Sequence, residues 1–140
     1  RCTARDGGRA FALDASASVG LTQKDVRQVQ LALGAVRTGI DLLLESAGIR
    51  ASAIVNVIVA GGFGYHVRAE SLVRLGLIPP VWRDRVAFGG NTALAGARMA
   101  LVNSTVRTTA RDLAGVVRTI DLAAHPEFQQ RFLAALSFPA

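Results

Sequence analysis

The stretch that decides the fold is VIVAGGFGYH, residues 57–66. It belongs to a run from Ile54 to Ala60 that is nearly all Ile, Val and Ala, and it stops at Gly61-Gly62-Phe63-Gly64. β-Branched side chains are stiff at χ1 and suit strands. An apolar run without polar alternation fits a strand covered on both faces, as in a parallel sheet. The glycines that follow leave the main chain bare, which is what a close approach to the backbone requires.

Working outward, the same pattern recurs once. Arg85 to Phe88 reads as a second short strand and ends in Gly89-Gly90-Asn91. Between the two, Ala69 to Leu75 reads as a short helix stopped by Gly76, and Pro79-Pro80 forces a loop. Upstream, Thr22 and Asp25 have the spacing of a capping box. Val26, Val29, Leu33, Val36, Ile40, Leu43 and Ala47 then recur at helical steps, and Gly48 closes the helix. Gly34 and Gly39 interrupt it; they either admit another backbone or are tolerated. Arg9 to Leu13 alternates as a short strand, and Arg1 to Gly8 reads as a polar lead-in.

Downstream, Asn91 can cap a helix through Leu94, Ala97 and Leu101, and Ser104 or Thr105 another through Val106, Ala110 and Leu113. Val116 to Leu122 reads as a last strand. His125-Pro126-Glu127 starts a terminal helix, with Pro126 at its first position. Strand and helix alternate, so the fold class is α/β: a mixed, largely parallel sheet flanked by helices.

Composition sets the outer bounds. The 140 residues are 51% apolar and carry a net charge of +6. That is enough for one domain burying roughly two thirds of its unfolded surface. Positive charge invites a nucleic-acid reading. The arginines, however, are scattered singly from Arg1 to Arg131, with no aromatic-basic interleaving, so no nucleic acid is expected. No apolar stretch approaches the roughly 20 residues of a membrane span. The single cysteine, Cys2, makes no internal disulfide, and a cytoplasmic location is the natural expectation. The chain starts at Arg1 without a methionine and reads as part of a longer protein.

In a parallel α/β sheet, ligands sit outside the carboxyl ends of the strands. The two glycine tips are therefore the candidate site, with Gly61, Gly62 and Gly64 offering bare backbone amides and Asn91 opening a helix whose first N–H groups lack partners. Neither a dinucleotide fingerprint nor a Walker A loop is present. The plain alternative is that these glycines only make strand-to-helix turns. Phe63 is more simply a core residue than a stacking partner, His66 a loop residue and His125 a cap.

The stretches themselves resemble a known family. Gly61-Gly62-Phe63-Gly64 after its strand resembles the adenosine motif of the acetate and sugar kinase, heat-shock chaperone and actin superfamily. NTALAGARMAL, residues 91–101, resembles that superfamily's hinge helix. More closely, LTQKDVRQVQLALGAVRTGIDLLLESAGI, VIVAGGFG, FGGNTALAGARMAL and HPEFQQRFLAALSFP together resemble the carboxyl-terminal actin-like ATPase domain of the reductive activators of corrinoid proteins. The resemblance covers about Arg9 to Pro139.

It implies a ribonuclease H-like, actin-like ATPase lobe over residues 9–140. Gly61, Gly62 and Gly64 would lie against adenosine and the α-phosphate; Asn91 and Thr92 would bond the base or cap the helix; Gly96 would allow hinge packing. Lys24 and Gln28 would reach ribose, although an exposed helix start carries such residues by default. In that family ATP with Mg²⁺ is coupled to returning a Co(II) corrinoid protein to Co(I), with an electron from an amino-terminal 2Fe-2S domain. The four-cysteine cluster motif and the phosphate loops are absent here, so catalytic carboxylates are not expected in this chain. Tyr65-His66 and Arg68-Ala69 depart from the usual Asn-Tyr and Asp-Pro, which bears on base specificity. The partners implied are ATP and a corrinoid protein, with a homodimer left open. The rival readings are a sugar or acetate kinase-like lobe, an acyl-CoA dehydratase activator, or an interaction domain that binds no nucleotide.

Overall fold

The computed structural model describes residues 2–5, 8–14, 16, 18–62 and 66–139. Three strands open the chain: β1 (Cys2–Arg5), β2 (Gly8–Ala12) and β3 (Gly20–Thr22). They form an antiparallel sheet in chain order, with Ala10 opposite both Thr3 and Thr22. Residues 2–5 are therefore a strand and not a lead-in. Between β2 and β3 the Asp14 carboxylate gathers the Ser16 hydroxyl, the Ser18 hydroxyl and, at 3.0 Å, the Val19 N–H. Those donors hold its pKa far below the usual carboxylate range.

Thr22 ends β3 and caps α1 (Gln23–Ser46). Its Oγ1 accepts from the Asp25 N–H at 3.2 Å, while its own N–H donates to the Asp25 carboxylate at 2.8 Å. This is the reciprocal capping box the sequence predicts. The helix closes as expected, with Gly48 at φ +66°.

The buried face of α1 differs from the predicted stripe. Gly34, Thr38, Gly39 and Leu42 are buried, whereas Val29, Val36 and Leu43 are 40–52% exposed. The helix is apolar on several sides, so periodicity alone does not select the packed one. Packing is decided by the notches. A Cβ on Gly34 would stand 3.1 Å from Leu136 Cδ2, and one on Gly39 would stand 3.2 Å from Leu122 Cδ1. The glycines admit side chains of the carboxyl-terminal segment, whose helix α5 (Phe128–Ala134) lies along α1. Arg131 fastens the pair by bridging Glu45 at 2.7 Å and Glu127. These two carboxylates raise the guanidinium pKa further.

The core gathers around Leu72, Ile78 and Trp82, each no more than 6% exposed. Ile40 and Leu44 of α1 pack on it together with Val57, Val59 and Val86. Leu72 comes from α2 (Ala69–Arg74), which Gly76 ends at φ +73°. Trp82 sits in a 3-10 turn, and its Nε1–H donates to the Ala51 carbonyl at 2.7 Å. Arg85 donates to the carbonyls of Ser52 and Ile54. These acceptors explain a shifted boundary: residues 51–53 form a 3-10 turn that faces Trp82 and Arg85, and the strand begins at Val57 instead of Ile54.

That strand, β4 (Val57–Ala60), pairs in parallel with β5 (Val86–Gly90). Parallel pairing is confined to these two strands among the described residues. Val57 and Val59 face the core, while Ile58 is 67% exposed, so β4 is covered on one face and not on both.

Two helices follow, α3 (Thr92–Val102) and α4 (Ser104–Val116). The cap of α4 is Asn103, not Ser104 or Thr105: its Oδ1 accepts from the N–H groups of Thr105 and Val106. The strand expected over 116–122 is absent. Val116 ends α4, and Asp121 Oδ1 takes the amides of Ala123 and Ala124 at 3.0 and 3.2 Å. A side chain that satisfies the following amides competes with a strand ladder. Pro126 lies in the turn before α5 and not at its first position, and His125 Nδ1 accepts from the Glu127 N–H at 3.3 Å.

Candidate functional site

β4 and β5 end side by side. Their register runs Val57 to Val86, Ile58 to Ala87 and Val59 to Phe88, then slips by one residue so that Ala60 pairs with Gly90. Beyond the slip, the Gly61 N–H donates to the Gly90 carbonyl at 2.7 Å. Gly61 has φ +88° and Gly90 φ +62°, a region in which a Cβ is strained. Such a bulge re-aims the chain at the end of a ladder. The two glycine tips that the sequence singles out are thus one continuous patch of main chain.

The glycines of this patch do different things. Among the described residues, a Cβ on Gly61 or Gly62 would meet nothing within 4 Å. A Cβ on Gly89 would stand 3.0 Å from Thr92 Cγ2 and 3.2 Å from Ile58 Cγ2, which makes Gly89 a packing glycine. The same contact places Thr92, the first residue of α3, over the tip of β5. Asn91 uses Oδ1 to accept from the Leu94 N–H at 3.0 Å. Of its two proposed roles the cap is therefore the one observed, and its side-chain N–H groups are left as donors. A Cβ on Gly96, on the second turn of α3, also meets none of the described residues within 4 Å.

Other expected members are not brought in. Phe63, Gly64 and Tyr65 lie outside the described residues. Lys24 and Gln28 are exposed on the first two turns of α1, a helix that packs on β3 and α5, and among the described residues no hydrogen bond joins them to the strand tips. Lys24 instead helps, after the Thr22 hydroxyl and N–H, to hold the Asp25 carboxyl below its ordinary pKa. His66 and Arg68 are exposed, and Arg68 opens α2 without a side-chain cap.

Sequence reasoning missed the Gly90 carbonyl as the acceptor that ties the tips together. The available signal was the Gly-Gly pair after Phe88, since two glycines leave room for a one-residue slip. Further along α3, a hollow of about 560 Å³ lies against Ala95, Arg98, Met99, Leu101 and Val102. Leu101 and Val102 are at least 80% exposed.

Comparison with known proteins bears on this arrangement. The profile of a family described as the C-terminal domain of RACo, the ASKHA domain, matches residues 2–140. The corrinoid activation enzyme RamQ of Eubacterium limosum is 34% identical over 113 residues, 81% of this chain and 19% of that protein. A [Co(II) methylated amine-specific corrinoid protein] reductase of Methanosarcina barkeri is 36% identical over 80 residues, 57% of this chain and 15% of its own. Among solved structures, a reductive activator for corrinoid, iron-sulfur protein superposes with a TM-score of 0.89 at 26% identity, over 99% of this chain and 23% of that one. The chain thus spans less than a quarter of the length of each of these relatives.

Proposed function

We propose that this chain, which belongs to the family of RACo C-terminal ASKHA domains, forms the adenosine-side lobe of an ATP-binding cleft in a protein that reactivates a corrinoid protein. The observation that carries the reading is the 2.7 Å bond from Gly61 to Gly90, which turns two glycine tips into one bare floor. On such a floor a purine nucleoside lies against main chain without meeting a side chain, and the start of α3 turns its unpaired amides and positive dipole end toward anionic groups. The residues present fit a nucleotide in that limited sense: no described side chain crowds Gly61 or Gly62, Asn91 retains its amide donors, and Thr92 borders the tip.

They do not fit an iron–sulfur cluster. The chain has one cysteine, whereas such clusters are held by several thiolates, so no electron-transfer step is assigned to these residues. Within the whole protein, ATP supplies binding energy that differs between open and closed states of the cleft. This lobe transmits the difference through α3 to docking on the corrinoid partner. The electron that takes Co(II) to Co(I) comes from elsewhere in that protein. The exposed apolar side chains of α3 support this reading, because a hinge helix packs against a second wall.

Calorimetric titration of the native full-length protein with Mg-ATP tests the proposal. One saturable site is expected. Absence of any binding heat, with the protein folded, would favour the rival in which the domain only docks a partner. The isolated 140 residues are expected to fold but to hydrolyse ATP barely, if at all.

A further inference from the structure

A second feature uses none of the strand-tip residues. Arg37 and Ile40 of α1, the end of α2 with the loop after it, and Pro139 enclose a cavity of about 310 Å³. Ile40, Val73 and Ile78 wall it, together with the rings of Pro79, Pro80 and Pro139. Arg37 is the one charged side chain among the described lining residues. Among the described residues it has no ion pair or hydrogen bond, although Arg74 and Arg131 are both paired.

Gly76 lines the hollow where Pro139 packs on its main chain. Its φ is +73°, and a Cβ there would stand 2.6 Å from Pro139 Cγ and 3.4 Å from Arg37 Nη1. The guanidinium therefore hangs over a glycine beside apolar walls. Proline rings fix the backbone dihedral, so three of them make the walls stiff before anything binds. A volume of this size falls at the lower end of the range for small-molecule sites.

We infer that this cavity binds a small monocarboxylate with an apolar body, of about ten non-hydrogen atoms. The apolar part displaces water from the walls, and the carboxylate meets the planar fork of Arg37. One cation and otherwise apolar walls disfavour a second negative charge, because it would be desolvated without a partner. Phosphates and dicarboxylates are therefore poor occupants.

The test is an amide-shift NMR titration of the protein with 3-phenylpropanoate, run in parallel with its neutral isostere 3-phenylpropanamide. Saturable shifts at Arg37, Gly76, Leu77 and Ile78 are expected, with the amide binding about tenfold more weakly through loss of a charge-assisted contact. Arg37→Gln should weaken the acid by a similar factor and leave the amide unchanged, while Arg74→Gln should change neither. Equal binding of acid and amide by the wild-type protein, saturation at other residues, or no saturable shift at all would each overturn the inference. None of these outcomes depends on whether the strand tips bind ATP.

Discussion

The Gly61 amide donates to the Gly90 carbonyl across the ends of two parallel strands, 2.7 Å apart. Each glycine sits at positive φ, and the register slip between Val59 and Ala60 makes the bond geometrically accessible. Two glycine clusters that lie almost 30 residues apart in sequence thereby become neighbours. The proposed function rests on this adjacency, since either tip alone would be an ordinary strand-to-helix turn.

The glycines at the tip should separate by backbone and not by space. Gly61 has φ +88° and Gly62 lies outside the left-handed region, yet among the described residues a Cβ on either meets nothing within 4 Å. Gly61→Ala should cost about 1 kcal/mol in urea unfolding, while Gly62→Ala should be close to neutral. Equal effects would show that crowding at the tip, not its dihedral, selects glycine.

The notches on α1 give a second expectation. Gly34→Leu and Gly39→Leu drive side chains into Leu136 and Leu122, and each should destabilise the fold by about 1–3 kcal/mol. Gly96→Ala, in the open interior of α3, should instead stabilise it by about 0.5–1 kcal/mol. Thermal melts of the three variants check the ordering.

Trp82 is the sole tryptophan and is 5% exposed, so its fluorescence reports the core directly. Trp82→Phe removes the indole donor and leaves the Ala51 carbonyl with the Ile54 N–H alone, at 3.2 Å, which should cost about 1 kcal/mol. A loss much below that would mean water replaces the indole.

Acid should weaken the start of α1. The Thr22 hydroxyl, then its N–H, and then Lys24 hold the Asp25 carboxyl below its ordinary value of 3.8. A carboxyl depressed in the folded state is protonated more easily when unfolded. Its contribution is complete above about pH 4 and is lost as pH falls through the folded pKa. Asp25→Asn should flatten the stability profile below pH 4 but not abolish its slope, because Asp14 is depressed in the same direction. Thr22→Ala should lower stability at neutral pH by about 1 kcal/mol. Urea midpoints measured from pH 2 to 7 decide both.

The sequence was most legible where one residue carries one physical demand. Thr22 and Asp25 announce a capping box three residues apart, Gly48 and Gly76 announce helix ends, and the two glycine tips announce bare main chain. It was least legible where several neighbours decide together. The packed side of α1 depends on Leu122 and Leu136 arriving from the far end of the chain, which no local periodicity contains. Residues 54–56 fall outside the observed strand because the carbonyls of Ala51, Ser52 and Ile54 are taken by Trp82 and Arg85. The expected strand over 116–122 failed for a local reason that was readable: Asp121 is a turn-forming residue that satisfies the next amides itself. At the site, Gly89 looked like Gly61 and Gly62 in sequence, but the contacts of Thr92 and Ile58 make it a packing position.

The most direct test of the nucleotide floor is Gly62→Asp. A side chain there meets no described residue within 4 Å, so the variant should keep the wild-type urea midpoint, while bulk and negative charge against the nucleotide should abolish calorimetrically detectable ATP binding by the native full-length protein. A folded Gly62→Asp protein that binds ATP with unchanged affinity would contradict the account.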